Sequence, residues 1–256
     1  MRLIVTRPAA QAMPWVAALQ ALGLDALALP LIGIAPPDDV APVQAAWRGL
    51  AALRLVMFVS ANAVEHFFAA RPAGLQWPAA LAAGSTGPGT SAALRAAGVR
   101  VIEEPAVDVP QFGTEALWAQ LATQHWQGAQ VLVVRGEDGR DWLADTLRQH
   151  GAAVHFVAAY RRVPPVLDAA GAATLAAALA TPSQHLWLFS SSEAVGHLAA
   201  LAPEADWSVS RACASHPRIA QAAQAAGFGR VDLVAPTPEA VARLLSLHPT
   251  LQSEPL

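Results

Sequence analysis

The chain has 256 residues with a formal net charge of −3, and 54% of the residues are hydrophobic. That length suits two domains of ordinary size, and the small negative charge argues against a general nucleic-acid-binding protein. No apolar run reaches the ~18–20 residues that a membrane-spanning helix needs. Arg7-Pro8 interrupts the apolar start, so we expect no signal peptide and a cytoplasmic protein.

The basic residues, sixteen in all, are arginines, and Cys213 is the only cysteine. The lack of lysine excludes Schiff-base chemistry, a pyridoxal phosphate lysine and a P-loop lysine. One cysteine allows neither an intrachain disulfide nor a thiolate cluster for zinc, and the histidines lack metal-ligand spacing. We interpret Cys213 as a small buried hydrophobe at a strand end, with a nucleophile as the alternative.

The N-terminal segment predicts a buried strand at Leu3-Ile4-Val5 that turns into a helix at Thr6-Arg7-Pro8, where proline suits the first helical turn. Open α/β sheets bind ligands at the carboxyl ends of their parallel strands. Arg7 stands at such an end, and we interpret it as a candidate anion contact, with a solvated turn arginine as the alternative. Residues 27–34 predict the next strand, and residues 35–38 predict an interdomain linker.

A similar strand and turn follow at residues 56–62, where Ser60-Ala61-Asn62 precedes a helix. Small polar residues there cap the first helical turn, and the exposed amides suit a bound anion. We keep both readings for Ser60 and Asn62. Residues 79–83 predict a strand, and the glycine-rich turn 84–90, which ends at Thr90, allows close approach of a ligand to the backbone. We expect a helix at 91–97, a strand at 99–102 and a helix at 114–125.

The segment 131–165 predicts a strand, a turn, a helix, a second strand and an exit at Pro164-Pro165, because proline ends regular structure. The turn contains Arg135, Gly136 and Arg140. The second strand ends at Tyr160, which is the only tyrosine. We expect Tyr160 to face the gap between the two halves of the chain. A half-buried strand tyrosine with a solvated hydroxyl is the alternative.

The last third predicts two further strands that each enter a helix through a polar turn. Residues 186–189 lead into Ser190-Ser191-Ser192, and residues 211–214 lead into Ser215-His216-Pro217-Arg218. His216 could serve as an acid or base, although a loop histidine beside a proline more often has no chemical role.

These patterns are two copies of one plan. Without a gap, each of three residues recurs 128 positions later: Arg7 as Arg135, Gly23 as Gly151 and Pro36 as Pro164. Residues 55–66 align with 186–197 at an offset of 131. Such self-similarity indicates an internal duplication, and we predict two similar α/β halves.

The chain resembles the uroporphyrinogen-III synthases over nearly its whole length. The motifs that carry the resemblance, in this order and spacing, are Val5-Thr6-Arg7-Pro8, residues 58–64, residues 135–140 with Asp145-Thr146-Leu147, Tyr160-Arg161 and Phe189-Ser190-Ser191. The resemblance implies two similar doubly wound parallel-sheet, flavodoxin-like α/β domains joined by a two-strand linker. One domain would be discontinuous (1–34 plus 167–250), the other would span 39–158, and the linkers would be 35–38 and 159–166.

The family's reaction closes linear hydroxymethylbilane to uroporphyrinogen III, with loss of water and inversion of the last pyrrole ring, in tetrapyrrole (haem) biosynthesis. The resemblance thus implies a hydro-lyase without metal or organic cofactor. It implies that Tyr160 is the catalytic side chain, because a neutral phenol can donate a hydrogen bond to the leaving hydroxyl. The substrate-binding residues would be Arg7, Ser60, Asn62, Thr90, Arg135, Gly136, Arg140, Ser190, Ser191, Ser215 and Arg218.

We also expect a monomer, and we consider a transient contact with the preceding enzyme of the pathway. One competing class is a two-lobed, non-catalytic binding or sensor protein for a polyanionic small molecule, because duplicated α/β lobes also suit a clamp. Another is a two-lobed glycosyl- or nucleotide-dependent transferase. The lack of a phosphate fingerprint and an acidic metal pair disfavours this transferase.

Overall fold

The computed structural model describes residues 1–106, 113–137 and 141–247. The chain divides into two compact units. Unit 1 consists of Met1–Gly33 and Val163–Leu256, and unit 2 consists of Ile34–Arg162. In the part of the chain that is described, no helix is long and apolar enough to cross a membrane.

Strands and helices alternate along the chain. The first half contains β1 (Arg2–Val5), α1 (Ala9–Ala21), β2 (Ala26–Ala28), β3 (Gly33–Ala35), α2 (Ala41–Gly49), β4 (Leu55–Phe58), α3 (Ala61–Ala69), β5 (Ala82–Ser85), α4 (Pro88–Ala96), β6 (Ile102–Glu103) and α5 (Thr114–Leu121). The second half contains β7 (Gln130–Gly136), α6 (Trp142–Gln149), β8 (Ala153–Val163), α7 (Ala169–Ala180), β9 (His185–Phe189), α8 (Ser192–Leu201), β10 (Arg211–Ala214), α9 (Pro217–Ala225), β11 (Arg230–Leu233) and α10 (Pro238–Leu247).

Each unit is built on one sheet. The unit 1 sheet has the order β11-β10-β9-β1-β2, and the unit 2 sheet has the order β3-β8-β7-β4-β5-β6. All four neighbouring pairs in unit 1 are parallel. In unit 2 the pairs from β8 to β6 are parallel as well. The predicted fold class, α/β with doubly wound parallel sheets, is confirmed.

The duplication explains the strand orders. The unit β1-α1-β2 matches β7-α6-β8, and the run from β4 to α5 matches the run from β9 to α10. Each sheet therefore combines the opening strands of one repeat with the remaining strands of the other. Numbered by their place in the repeat, the strands of the unit 1 sheet have the order 2-1-3-4-5, which is the flavodoxin-like arrangement. The unit 2 sheet has the same order, with β3 as an additional strand beside β8.

Aromatic side chains pack beneath the helices of both units. In unit 2, Trp47 stacks on Phe67 with ring centroids 4.9 Å apart, and its indole N–H donates to the Phe67 carbonyl. In unit 1, Trp207 stacks on Phe228 at 5.1 Å and meets Trp187 edge-on. These ring contacts join residues of the same unit, so each unit has an aromatic cluster of its own.

Several predicted boundaries are wrong, and local chemistry explains them. The strand expected at 27–34 is two short strands, because Pro30 cannot donate a ladder hydrogen bond. The strand expected at 79–83 begins at Ala82, because the Leu81 N–H closes a turn onto the Pro78 carbonyl. The helix expected at 114–125 ends at Leu121, whose carbonyl accepts the Trp126 indole N–H.

Candidate active site at the carboxyl ends of the strands

Each sheet has a switch point, where the connections that follow two neighbouring parallel strands lead to opposite sides of the sheet. In unit 1 it lies between β1 and β9, and in unit 2 it lies between β7 and β4. Ligands of open α/β sheets bind beyond the carboxyl ends of the strands at this place. Most residues singled out from the sequence lie at these ends: Arg7, Ser190 and Ser191 in unit 1, and Arg135, Gly136, Ser60 and Asn62 in unit 2.

Ser60 caps helix α3. Its backbone is extended, with φ −166° and ψ 163°, and its Oγ accepts the Ala63 N–H at 3.1 Å. This geometry is the standard N-cap arrangement. Asn62 lies buried in the first turn of the same helix. The capping interpretation of Ser60 therefore holds, and the Ser60 hydroxyl makes a second contact.

That second contact is with Tyr160. The Ser60 Oγ–H donates to the Tyr160 phenol oxygen at 3.3 Å, although 100 positions separate the two residues. Tyr160 is 5% exposed, so the half-buried, solvated tyrosine considered above is wrong. The phenol lies within unit 2, near the carboxyl ends of β7 and β4.

A strand irregularity directs Tyr160 toward Ser60. Arg135 of β7 pairs with Ala158 of β8, but the next residue, Gly136, pairs with Tyr160. Ala159 is thus an extra residue in β8, and such bulges re-aim the side chains that follow. As a result, Ala159 and Tyr160 both pack in the core cluster that contains Phe67.

Gly136 makes room for the phenol ring. A Cβ at this position would lie 3.1 Å from the Tyr160 Cε2 and Cζ atoms and 3.4 Å from its hydroxyl. The ring of Tyr160 on β8 therefore crosses β7 over a residue without a side chain. This crossing lets it reach Ser60, which follows β4 on the far side.

His66 on α3 is a further neighbour of the phenol. Its ring centroid lies 6.0 Å from that of Tyr160. Burial lowers the pKa of His66 from its ordinary value of 6.5, while the charge of Glu65 raises it. His66 is not among the site residues predicted from the sequence. The only signal was its alignment with His197 in the second repeat.

Thr90 belongs to a hydroxyl network beside the same edge. It is buried in the first turn of α4, and its Oγ1 lies 3.5 Å from the Thr86 Oγ1. Thr86 donates to the Val59 carbonyl at 3.1 Å. This network joins the carboxyl ends of β5 and β4, so Thr90 lies near Ser60 in the fold.

Arg7 has no acidic partner in the described part of the chain. Its guanidinium carbon lies 4.4 Å from the centroid of the Trp15 ring on α1, a cation–π distance. Burial lowers the pKa of Arg7, because removing a cation from water disfavours its charged form. The guanidinium of Arg7 is therefore a half-buried cation that packs against the Trp15 indole just after the carboxyl end of β1.

The corresponding Arg135 is in a different state. It forms an ion pair with Asp141 and lies 4.2 Å from the centroid of the Phe156 ring. Its positive charge is therefore already compensated within unit 2. Arg140, which the sequence analysis grouped with it, lies outside the described residues.

The polar turns of unit 1 cap helices. The Ser191 Oγ accepts the Glu193 N–H at 3.1 Å at the start of α8, and Ser190 before it is half-buried. At the start of α9, the His216 Nδ1 accepts the Arg218 N–H at 3.2 Å. That bond assigns His216 a capping role, so the acid or base considered for it is not favoured.

The remaining residues at these turns differ in exposure. Ser215 donates its backbone N–H to the Phe189 carbonyl at 3.3 Å, and Arg218 is exposed. Cys213 in β10 is 1% exposed, and burial raises its pKa to about 12. The interpretation of Cys213 as a buried hydrophobe agrees with this environment. Residues 1–106, 113–137 and 141–247 contain no group of three side chains that could hold a metal ion.

A family model described as uroporphyrinogen-III synthase HemD matches residues 14–243 of the chain. The chain belongs to the uroporphyrinogen-III synthase family. The family assignment, the synthase function and the enzyme class predicted from the sequence are therefore confirmed. The chain is an enzyme of lyase type that acts on a small-molecule substrate, and the sensor alternative is not favoured.

Curated relatives agree with this membership. The chain is 29% identical over 197 residues to the uroporphyrinogen-III synthase of Salmonella typhimurium. The aligned region covers 73% of this chain and 79% of that protein. It is 31% identical over 163 residues to the synthase of Synechococcus elongatus, which covers 62% of this chain and 59% of that protein.

Solved structures share the fold. The uroporphyrinogen-III synthetase of Helicobacter pylori has a TM-score of 0.58 at 18% identity, with 97% of this chain and 100% of that chain covered. A mutant uroporphyrinogen III synthase from Thermus thermophilus has a TM-score of 0.54 at 18% identity, with 98% of each chain covered. At this identity the comparison supports the architecture alone.

Proposed function

We propose that this chain converts linear hydroxymethylbilane to uroporphyrinogen III, and that the phenol of Tyr160 assists departure of the terminal hydroxyl as water. The observation that carries the assignment of Tyr160 is its position at the carboxyl edge of β7 and β4, next to the Ser60 cap. A phenol at a ligand-binding edge is a suitable general acid for a leaving hydroxyl.

The hydroxyl of the terminal hydroxymethyl group leaves with one proton as water. The resulting cationic carbon is then attacked by the substituted carbon of the last pyrrole ring, which gives a spiro intermediate. Rearrangement of that intermediate and loss of one proton close the macrocycle with the ring inverted. The protein supplies a fixed substrate conformation and groups that stabilise the charge of each state.

The substrate is a polycarboxylate, and each unit by itself offers groups that bind carboxylates. The first turns of α3, α4, α8 and α9 present backbone amides at the carboxyl ends of the strands. Helix N-termini favour anions through these amides and through the helix dipole. We therefore assign the turns that contain Ser60, Thr90, Ser191 and Ser215 to carboxylate binding. Asn62, Gly136, Ser190 and Arg218 are proposed contacts on the same turns.

Arg7 and Arg135 differ in what they offer to an anion. Arg7 is half-buried beside Trp15 with no described acid near it, whereas Arg135 is neutralised by Asp141. An arginine–carboxylate contact is a strong, directional interaction. We therefore propose that Arg7 is the principal arginine that binds a substrate carboxylate and that Arg135 contributes less to this binding.

The Tyr160 assignment is tested with Tyr160→Phe in an assay that resolves the type I and type III products. We expect kcat for the type III product to fall about 10²-fold, because one positioned acid contributes 10²–10⁴-fold. The melting temperature should change by only a few degrees. Unchanged kcat with folded protein would remove Tyr160 from the mechanism.

The Arg7 assignment is tested with Arg7→Gln, using Arg2→Gln as the control. Arg2 lies at the opposite end of β1, the strand that precedes Arg7, and forms an exposed ion pair with Asp25. We expect KM for hydroxymethylbilane to rise about tenfold in Arg7→Gln, because hydrogen bonds to charged groups contribute ~1.5–3 kcal/mol. Equal KM values in the two variants would overturn the assignment.

The monomeric state, the cytoplasmic location, the transient contact with the preceding enzyme and the domain boundaries at 35–38 and 159–166 stay predictions. Sedimentation velocity at micromolar concentration tests the first of them, since a monomer has a single species near 26.6 kDa.

A further inference from the structure

The hydroxyl of Ser60 joins two structural features of unit 2. It accepts the Ala63 N–H at 3.1 Å and donates to the Tyr160 phenol oxygen at 3.3 Å. The first bond holds the start of α3, and the second reaches β8. A serine hydroxyl has one proton and two lone pairs, so both bonds form at once without competition.

The direction of the second bond leaves the phenol proton free. Because Ser60 donates its own proton to the phenol oxygen, the Tyr160 O–H is available to donate to another group. A hydrogen bond received by a hydroxyl oxygen also strengthens the bond which that hydroxyl donates. The bond from Ser60 therefore makes the Tyr160 hydroxyl a stronger hydrogen-bond donor. The O···O separation of 3.3 Å is longer than that of an ordinary O–H···O hydrogen bond.

The duplication supplies an internal comparison. Ser191 occupies the position equivalent to Ser60 and caps α8 through the Glu193 N–H at 3.1 Å. The residue equivalent to Tyr160 in unit 1 is Ile32, which has no hydroxyl. A cap in this fold therefore needs no phenol, and the contact with Tyr160 is an additional feature of unit 2.

We infer that Ser60 is a positioning residue for Tyr160: its hydroxyl fixes the phenol and orients the phenol proton toward the substrate. This assignment replaces the direct substrate contact expected for the Ser60 side chain, while the backbone amides of its turn keep their carboxylate-binding role. The inference rests on the proposed catalytic role of Tyr160.

The test is a double-mutant cycle on kcat for the type III product, with Ser60→Ala, Tyr160→Phe and the double variant. We expect Ser60→Ala to lower kcat about 3–10-fold with KM unchanged. In the Tyr160→Phe background the same change should have no further effect on kcat, since coupled residues are not additive. Ser60→Thr should restore most of kcat, because threonine keeps the hydroxyl and the cap.

Loss of the cap is controlled in two ways. Thr237→Ala removes a cap of the same spacing, because the Thr237 Oγ1 accepts the Ala240 N–H at 3.2 Å; it should lower stability and leave kcat unchanged. Ser60→Gly tests the loss of the hydroxyl at a smaller cost in cap stability. It should reproduce the kcat loss of Ser60→Ala if that variant is poorly folded.

The outcomes separate this inference from the proposed function. A reduction of kcat by Ser60→Ala of equal size in both backgrounds would overturn the inference, since Ser60 would then act independently of the phenol. A rise in KM alone would also overturn it and restore a direct substrate contact. Loss of activity in Tyr160→Phe with full kcat in Ser60→Ala would overturn only the inference. Full kcat in Tyr160→Phe would overturn the catalytic role and the inference together.

Discussion

Replacing Gly136 with alanine is the sharpest steric test of where the phenol lies. The added Cβ would lie 3.1 Å from two ring atoms of Tyr160, whereas ordinary contact begins at 3.4 Å. The ring must therefore lift away from β7 by about 0.3 Å, which lies within the ~1 Å displacement that can reduce catalysis 10²-fold. A shift of that size along the line between the two oxygens takes the 3.3 Å contact with Ser60 to roughly 3.6 Å at most, beyond hydrogen-bonding distance.

The expected result is a fall in kcat for the type III product of about 5–10-fold, or ~1–1.4 kcal/mol in activation free energy. Stability should change by less than about 1 kcal/mol, because the strain on the ring is offset by the lower chain entropy of alanine in the unfolded state. The measurements are initial rates with isomer separation and urea unfolding.

The matched control is Gly196→Ala in α8, where an added Cβ meets nothing within 4 Å. It should stabilise the protein by up to about 1 kcal/mol through helix propensity and leave kcat unchanged. If Gly136→Ala keeps full kcat while it shows a normal unfolding transition, the crossing of the Tyr160 ring over Gly136 does not position a catalytic group.

Three further outcomes follow from the packing and charges. The thiol of Cys213, whose pKa is raised to about 12 by burial, should resist thiol reagents at pH 8 in native protein and react in denaturant; fast native labelling would contradict its burial. Burial lowers the pKa of His66 below 6.5, so the unfolded chain binds more protons as the pH falls below 6.5 and stability decreases there. The decrease between pH 7 and 5 should be smaller in His66→Gln, and equal pH slopes would refute this. Gly229→Ala places a Cβ 1.8 Å from the Ser208 carbonyl oxygen and should destabilise by about 1–3 kcal/mol, measured by urea unfolding; an unchanged midpoint would contradict the close approach.

The location of the site could be predicted from the sequence, because it depends on local order along the chain. A short apolar strand followed by a small polar turn and a helix identifies the carboxyl end of a parallel strand. Ser60, Ser191 and Arg7 all follow such strands. The repeat offsets then indicated that the two halves have the same arrangement.

The pairing of side chains within the site could not be predicted. Ser60 and Tyr160 are 100 positions apart and meet only because Ala159 adds an extra residue to β8 and Gly136 lacks a side chain. No periodicity in the sequence marks that bulge. The indole of Trp15 beneath Arg7 and the ring of His66 beside Tyr160 are likewise results of helix orientation.

The two arginines show the same limit. Arg7 and Arg135 are equivalent in the duplication, and the sequence did not reveal which acid would bind Arg135. The fold brings Asp141 to it and leaves Arg7 with Trp15. Two equivalent arginines in a repeat can therefore differ in whether a neighbouring acid neutralises their charge. Only the three-dimensional environment distinguishes them.

The most direct test of the account is the isomer composition of the product. Freshly generated hydroxymethylbilane is supplied to the purified chain, the products are oxidised, and the type I and type III porphyrins are separated. We predict predominantly type III product at a rate proportional to protein concentration. Type I product alone, formed at the spontaneous rate in the presence of folded protein, would contradict it.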